Sequence, residues 1–197
     1  MVPGPAAEML SDEELVAAIL RGERERFADL VGRYEGRLVN YLYRLLRSLD
    51  DAHDLAQEVF LKVYQALDRF DPRYRFSTWI FRVAQNAAID QIRRQRLKLV
   101  SMRRESDEDG ESRDWEFPSP RPTPYGDLRN RERGAAIQEA VDALPWEYRE
   151  LILLRHFGEL SYEEIATLKR LPLGTVKNKL FRARQLLKER LGSYLTD

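Results

Sequence analysis

No part of the chain limits its possible folds as strongly as residues 161–191, SYEEIATLKRLPLGTVKNKLFRARQLLKERL, which hold two helical patterns around a short break. Ser161 followed by Glu164 is a capping-box pattern, in which a hydroxyl and a carboxylate satisfy free backbone N–H groups at a helix start. Pro172 lacks an N–H and disfavours helical backbone at the residue before it, so the first helix ends there. A second helix follows, and the stretch predicts a helix-turn-helix.

The second of these helices is amphipathic. Apolar residues recur every three or four positions along one stripe, namely Val176, Leu180, Ala183 and Leu187. The other side is basic, with eight Lys or Arg and one acid between Lys169 and Arg190. A basic run alone also fits an ordinary solvated helix, but the capped helix and proline turn before it favour DNA binding. Lys177, Asn178 and Arg182 lie where a recognition helix presents side chains to base edges.

Composition excludes several other functions. The formal net charge is zero, yet residues 93–104 hold six basic residues and residues 105–116 hold seven acids. Cysteine is absent, which excludes disulfides, and the presence of only two histidines argues against a transition-metal site. We therefore expect no cofactor and no catalytic residues. The start has no signal-peptide pattern and no apolar run reaches about 20 residues, so we expect a cytoplasmic protein without membrane insertion.

The remaining periodic segments predict helices, and no segment has a strand pattern. Ser11 followed by Glu14 repeats the capping box before a short first helix. Apolar residues then recur over 27–46, as in a longer helix or a pair of helices. Asp50 or Asp51 is the expected N-cap of the next helix.

We therefore predict an all-α protein with two small helical domains and a flexible linker. A helix from Thr78 is expected to run to Ile92 and then to dissolve in the basic residues that follow. The next segment is acidic and proline-rich and has too few apolar residues for a core. The predicted divisions are a disordered tail at 1–10, a first domain at 11–99, a linker at 100–127 and a second domain at 128–197.

The loop at 69–77 and the helix after it interleave basic and aromatic residues. These residues are Phe70, Arg73, Tyr74, Arg75, Phe76, Trp79 and Arg82, with Asn86 further along the helix. Aromatic rings stack on unpaired bases while guanidinium groups bind phosphates, so the composition suits single-stranded DNA. The alternative is that Phe76, Trp79 and Val83 belong to the core.

Three stretches together resemble a known family. They are DLAQEVFLKVY at 54–64, FSTWIFRVAQNAAIDQIRR at 76–94, and ALPWEYRELILLRHFGELSYEEIA followed by LPLGTVKNKLFRARQLL in the second domain. In this order and spacing they are similar to bacterial RNA polymerase sigma factors of the extracytoplasmic-function type. The resemblance covers nearly the whole chain apart from the tail and linker. It implies a sigma factor reduced to its second and fourth conserved regions, directing transcription initiation at a specific stress or envelope regulon.

The resemblance also implies roles for residues. The first domain would dock on the clamp helices of the largest subunit of core RNA polymerase, through Asp54, Gln57, Glu58 and Lys62. The interleaved loop, with Asn86, would capture a flipped base of the minus-ten element and hold the non-template strand open. In the minus-thirty-five major groove, Lys177, Asn178 and Arg182 would contact bases, and Thr175, Lys179 and Arg184 would contact phosphates.

Further partners are implied in the same way: the second domain would contact the flap region of the polymerase, the linker would thread through the enzyme, and an anti-sigma factor would sequester the chain.

The sequence departs from the family pattern at Lys169 and Arg170, where family members commonly have an apolar residue and then glycine. Either Arg170 takes a strained positive backbone dihedral, or the turn has another shape in which both cations reach phosphates.

Two other classes of function fit less well. A freestanding helix-turn-helix repressor or activator would use the N-terminal half for ligand sensing or dimerisation, but it has no use for a loop that binds unpaired bases. A magnesium nuclease would have to use Asp54 and Glu58. The sequence has neither a glycine-rich phosphate loop nor a pair of histidines at ligand spacing.

Overall fold

The computed structural model describes residues 10–104 and 128–192, which form α-helices and two short 3-10 turns and contain no strand. The predicted all-α class is confirmed. The first domain contains α1 (Asp12–Leu20), α2 (Phe27–Leu46), α3 (Leu49–Gln65) and α4 (Phe76–Arg104). The second contains α5 (Leu128–Asp142), α6 (Trp146–His156), α7 (Tyr162–Lys169) and α8 (Leu173–Leu191). Most of the predicted tail and linker lies outside the described residues.

Both predicted capping boxes are present. At the start of α1, Ser11 Oγ accepts a hydrogen bond from the Glu14 N–H at 3.2 Å, and the Glu14 carboxylate accepts one from the Ser11 N–H at 2.7 Å. The corresponding distances at Ser161 and Glu164 are 3.1 and 2.7 Å. Each box satisfies two backbone donors that a helix start leaves free, so these two starts follow from short sequence patterns.

The predicted cap of α3 is wrong. Ser48, rather than Asp50 or Asp51, is the N-cap, and its hydroxyl accepts a hydrogen bond from the Asp51 N–H at 3.2 Å. An N-cap needs extended backbone directly before the first helical residue, and that residue is Leu49. The two aspartates lie instead in the first turn, where their charge favours the positive end of the helix dipole.

The predicted end of α4 is also wrong, because the helix does not dissolve after Ile92 but continues to Arg104. Residues 93–104 consist mainly of arginine, lysine, leucine, glutamine and methionine, which are good helix formers, and they include no glycine or proline. The expected boundary between the first domain and the linker at 99–100 therefore lies inside a helix.

Apolar stripes build the core as the periodicity predicts. Leu30, Leu38 and Tyr41 of α2 are fully buried against α3 and α4. In the second domain the stripe of α8 faces α6 and α7, with Val176 and Leu180 fully buried. The predicted helix-turn-helix is thus confirmed as α7, a short turn and α8.

The two domains also pack against each other, which the sequence did not predict. Their buried residues form one continuous apolar cluster, and α4 of the first domain contacts α7 of the second. Gly158, after α6, allows this close approach: a Cβ there would lie 3.0 Å from the Phe81 ring and 2.8 Å from the Leu154 carbonyl oxygen. Any larger residue at position 158 would push the domains apart or distort the end of α6.

In the turn between α7 and α8, the backbone of Arg170 has a positive φ. This residue has φ 54° and ψ 42°, in the left-handed region, and its N–H bonds back to α7. A side chain in that region is sterically disfavoured, whereas glycine is not. Of the two possibilities for this turn, Arg170 therefore has the strained one, a positive backbone φ.

We expect Arg170→Gly to raise the free energy of unfolding by about 0.5–1 kcal/mol, because relief of this strain exceeds the added flexibility of the unfolded chain. Urea denaturation of the full chain measures it. Arg170→Ala is the control, since it removes the same exposed guanidinium but keeps the Cβ and its strain. Equal stability of the glycine and alanine variants would contradict the argument.

Candidate nucleic-acid and polymerase interfaces

The outward face of α8 is the clearest candidate interface. Lys177, Asn178 and Arg182 are all exposed there, on the side opposite the buried stripe. Phe181 lies among them and is 62% exposed, a large apolar group in contact with solvent. Sequence reasoning missed Phe181, although its position next to Leu180 and off the apolar stripe was a usable signal. The face can offer hydrogen bonds to base edges and an apolar contact to a thymine methyl.

Two of the three residues expected on phosphates have partners within their own domain. Lys179 forms an ion pair with Glu147 and lies 5.6 Å from the centre of the Tyr148 ring. Arg184 donates to the hydroxyl of Tyr162. These contacts fasten α8 to α6 and α7, because the partners lie on those helices. Of the three residues, Lys179 and Thr175 are half-buried and Arg184 is exposed, and their contact with phosphates stays a prediction.

The loop before α4 is ordered by its own charges. The Asp71 carboxylate accepts hydrogen bonds from the Arg73 N–H at 3.0 Å and from its guanidinium at 2.6 and 3.0 Å. The bond from the Arg73 side chain, followed by that from its backbone, lowers the pKa of Asp71. Pairing leaves the Arg73 side chain 82% exposed, so the guanidinium is held in place and open to solvent.

The aromatic residues of this region are not equivalent. Phe76 is 1% exposed and packs edge-on against Tyr34 and Phe70, so it cannot present its ring to a base. The prediction of a stacking role for Phe76 is therefore wrong, and the alternative of a core residue is confirmed. Phe70 and Trp79 are half-buried over it, whereas Tyr74 is 49% exposed. Periodicity could not separate these rings, because a loop has no repeating face.

The polar residues predicted around this loop differ in accessibility. Arg75 and Asn86 are exposed, and Arg82 is half-buried on α4.

A hydrogen bond links the start of α4 to the second domain: Ser77, in the first turn of α4, donates to the Glu164 carboxylate. Burial alone would raise the pKa of Glu164, but the bonds from Ser77 and from the Ser161 backbone outweigh it and lower that pKa.

The outer face of α3 carries the residues expected to dock on polymerase. Asp54, Gln57, Glu58 and Lys62 are all exposed, with Glu58 and Lys62 paired at 3.5 Å one helical turn apart. Leu61 lies on the same face and is 61% exposed, and sequence reasoning missed it. An apolar centre with charged residues around it is the usual composition of a protein-binding surface.

An open groove between α3 and α4 extends this face. Asp54 and Glu58 line it from α3, and Asp90 and Arg94 line it from α4. Each wall carries both signs of charge, since Lys62 also lines the groove from α3, and this suits a partner that is itself of mixed charge. No group of side chains that could hold a metal ion occurs in the described residues. Nor does any helix in ranges 10–104 and 128–192 have the length and apolar character needed to cross a membrane.

The fold and these surfaces define a two-domain helical transcription factor, with a helix-turn-helix in the second domain and a charged, partly apolar docking face in the first. Family models support this class and name it: residues 30–98 match Sigma-70 region 2 and residues 134–187 match Sigma-70, region 4. The chain belongs to the sigma-70 family of RNA polymerase sigma factors, within its extracytoplasmic-function (ECF) group. Members of this family direct RNA polymerase to specific promoters.

Individual relatives match this chain over most of their length. The ECF RNA polymerase sigma factor SigW of Bacillus subtilis is 31% identical over 176 residues, covering 89% of this chain and 94% of that protein. The ECF RNA polymerase sigma-E factor of Escherichia coli K12 is 33% identical over 185 residues, covering 92% and 94%. A solved complex of the sigma factor RpoE with the anti-sigma factor NepR from Bartonella quintana has a TM-score of 0.65 at 25% identity, covering 84% and 96%.

Proposed function

We propose that the two domains divide promoter recognition between them. The first domain docks on core RNA polymerase and opens the minus-ten element, and the second reads the minus-thirty-five element as duplex. The observation that carries this proposal is the outward face of α8, where Lys177, Asn178, Phe181 and Arg182 stand exposed opposite the buried stripe. Bidentate contacts from such side chains discriminate between base pairs in the major groove.

Docking on polymerase is assigned to the α3 face, with Leu61 at its centre and Asp54, Gln57 and Glu58 around it. The partner proposed is the clamp-helix pair of the largest subunit. The second domain is proposed to contact the flap region at the same time. An acidic docking face on a DNA-binding protein is understandable, because it repels DNA and reserves that surface for protein.

Melting of the minus-ten element is assigned to the loop before α4. Tyr74 is the exposed ring, Arg73 is held in place by Asp71, and Asn86 offers polar groups nearby. Stacking of an extruded base on an aromatic ring contributes about 1–3 kcal/mol, which offsets the few kcal/mol that unpairing costs. Phe76 supports this loop from the core rather than touching DNA.

The decisive experiment combines the purified chain with core polymerase on a promoter fragment. The chain alone is expected to leave the duplex closed, and the holoenzyme is expected to expose reactive thymines around minus ten to permanganate. Tight sequence-specific binding to duplex by the chain alone, without a bubble when polymerase is added, would favour the repressor alternative instead.

Tyr74→Ala should reduce permanganate reactivity in the bubble by about five- to a hundredfold, because one stacked base loses its platform. Tyr74→Phe keeps the ring and should behave like the unmodified chain. Binding of both variants to core polymerase should be unchanged, since Tyr74 lies outside the α3 face. If the alanine variant opens the promoter normally, the base is held by another group.

An anti-sigma factor is a further proposed partner, supported by the solved relative that is bound to one. Such a partner is expected to compete with core polymerase for the α3 face. A partner recovered with the tagged chain should lower the yield of holoenzyme when titrated against core. Simultaneous binding of partner and core would contradict this assignment.

A further inference from the structure

A positively charged cluster lies where the end of α6 meets the helix-turn-helix. Two guanidiniums flank the ring of Tyr162, the first residue of α7. That of Arg155 on α6 lies 5.5 Å from the ring centre, and that of Arg184 on α8 lies 5.9 Å from it. Arg184 also donates to the Tyr162 hydroxyl, and Arg155 donates to the Leu160 carbonyl at 3.0 Å. Three helices therefore hold two permanent cations around one ring.

His156 belongs to this cluster and is of the residue type that titrates near neutral pH. It follows Arg155 in the last turn of α6 and is exposed. A helix C-terminus by itself favours protonated histidine. Here partial burial, followed by the charges of Arg184 and Arg155, lowers the pKa of His156 below its ordinary value of 6.5. These effects outweigh the helix dipole, so the imidazole is mainly neutral at pH 7 in the free chain.

The first acids that follow His156 in the chain are Glu159, Glu163 and Glu164. Glu159, in the turn between α6 and α7, pairs with Arg37 at 3.3 Å. Glu164 accepts a backbone N–H in the capping box of α7, and Glu163 is exposed in the first turn of that helix. The two guanidiniums of the cluster bond to a carbonyl and a hydroxyl rather than to carboxylates. The cluster therefore keeps an excess of positive charge, which suits an anion.

This cluster lies at the edge of the base-reading face of α8. At 100° per residue, Arg184 lies about 20° from Lys177 and about 60° from Phe181 around the helix axis. In a helix-turn-helix the first helix crosses the DNA backbone while the second enters the major groove. Tyr162 begins that first helix, and helix N-termini commonly contact phosphates. A backbone phosphate at the start of α7 would therefore meet the cluster.

We propose that His156 binds a backbone phosphate of the minus-thirty-five duplex in its protonated form, so that promoter binding takes up one proton from solvent and tightens as the pH falls. The inference rests on the proposed reading of that element by α8 and adds a pH dependence to it. Its physical reason is a reversal of the local field. The two guanidiniums disfavour the imidazolium in the free chain, whereas a phosphate placed among them favours it. The proton returns to solvent when the DNA dissociates.

The direction and the range of the pH effect follow from these two states. The His156 pKa lies below 6.5 in the free chain and is raised by the phosphate in the complex. Above the higher value the imidazole is neutral in both states, and pH does not change the affinity through this residue. Between the two values, each unit of fall in pH strengthens binding by up to about tenfold. Below the lower value the imidazole is protonated in both states, and the gain is complete.

Proton NMR of the full chain tests the linkage directly, because the sequence has two histidines. His156→Gln identifies the signal of His156, and His53, exposed on α3, is the internal control. When a minus-thirty-five duplex is added, we expect the titration midpoint of His156 to rise by at least about half a unit, equivalent to about threefold in affinity. The His53 signal should not respond to the duplex. No rise for His156 at saturating duplex would overturn the proposal.

Holoenzyme binding to a promoter duplex, measured by fluorescence anisotropy at constant ionic strength, tests the consequence. Each variant is compared with the unmodified chain at the same pH, so the titration of polymerase itself cancels. We expect His156→Gln to bind about five- to tenfold more weakly at about pH 6 and equally at about pH 8. His156→Arg keeps a cation at every pH, so it should match the unmodified chain at the lower pH and exceed it at the higher. A ratio between His156→Gln and the unmodified chain that does not change with pH would overturn the proton linkage.

Uncharged methylphosphonates, placed one at a time in the minus-thirty-five backbone, locate the contact. One position should remove the difference between the unmodified chain and His156→Gln at about pH 6. If that difference persists at every position, His156 does not bind a phosphate and the proposal fails. Equal binding of the cognate and a scrambled minus-thirty-five element by unmodified holoenzyme at about pH 8 would overturn the proposed function itself, a failure distinct from a pH-independent ratio.

Discussion

Arg182→Ala should lower run-off transcription from the cognate promoter by about ten- to a hundredfold, because one good contact to a base edge is worth about 1–3 kcal/mol of discrimination. Arg182 is exposed on the outward face of α8 and has no role in the buried stripe. The loss should shrink when the contacted minus-thirty-five base pair is itself mutated, as expected for a base contact and not for a general phosphate contact.

Lys188→Ala is the matched control for Arg182→Ala. It removes a cation from the same helix, but at 100° per residue Lys188 lies about 120° away from Arg182 around the axis. Core binding, measured by competition for polymerase, should be unchanged for both variants. An equal loss of core affinity in Arg182→Ala would place this residue on the polymerase surface.

Leu61→Asp should weaken core binding by at least about 30-fold, since an apolar centre in a protein interface commonly contributes 2 kcal/mol or more. Leu61 is 61% exposed among the charged residues of the α3 face, so a carboxylate there creates no buried charge in the free chain. Folding should therefore be preserved, as circular dichroism can verify. Gln57→Ala with Glu58→Ala should weaken binding in the same direction but less.

Leu49→Asp serves as the control for this surface. Leu49 is also an exposed leucine of α3, at 43%, but it lies about 120° from Leu61 around the helix. Its core affinity should equal that of the unmodified chain. If both leucine variants bind polymerase normally, the docking face lies elsewhere, and the groove lined by Asp90 and Arg94 is the next surface to test.

The positions that sequence reasoning placed correctly share a short range of interaction. Ser161 and Glu164 form a capping box three residues apart, and Val176 and Leu180 follow the helical repeat, so neighbouring residues contain all the information. The exposed position of Arg182 follows from the same repeat. These local rules were sufficient to predict the main helices and the helix-turn-helix, but they misplaced the N-cap of α3 and the end of α4.

Other features depended on residues far apart in the chain. Arg37 binds the Gly158 carbonyl 121 positions away, and Lys179 meets Glu147 32 positions away. Periodicity shows that a helix face is buried or polar but carries no information about which distant group it meets. The burial of Phe76, the ion pair of Lys179 with Glu147 and the contact between the two domains therefore came from the folded chain, because each depends on a distant partner that no local pattern identifies.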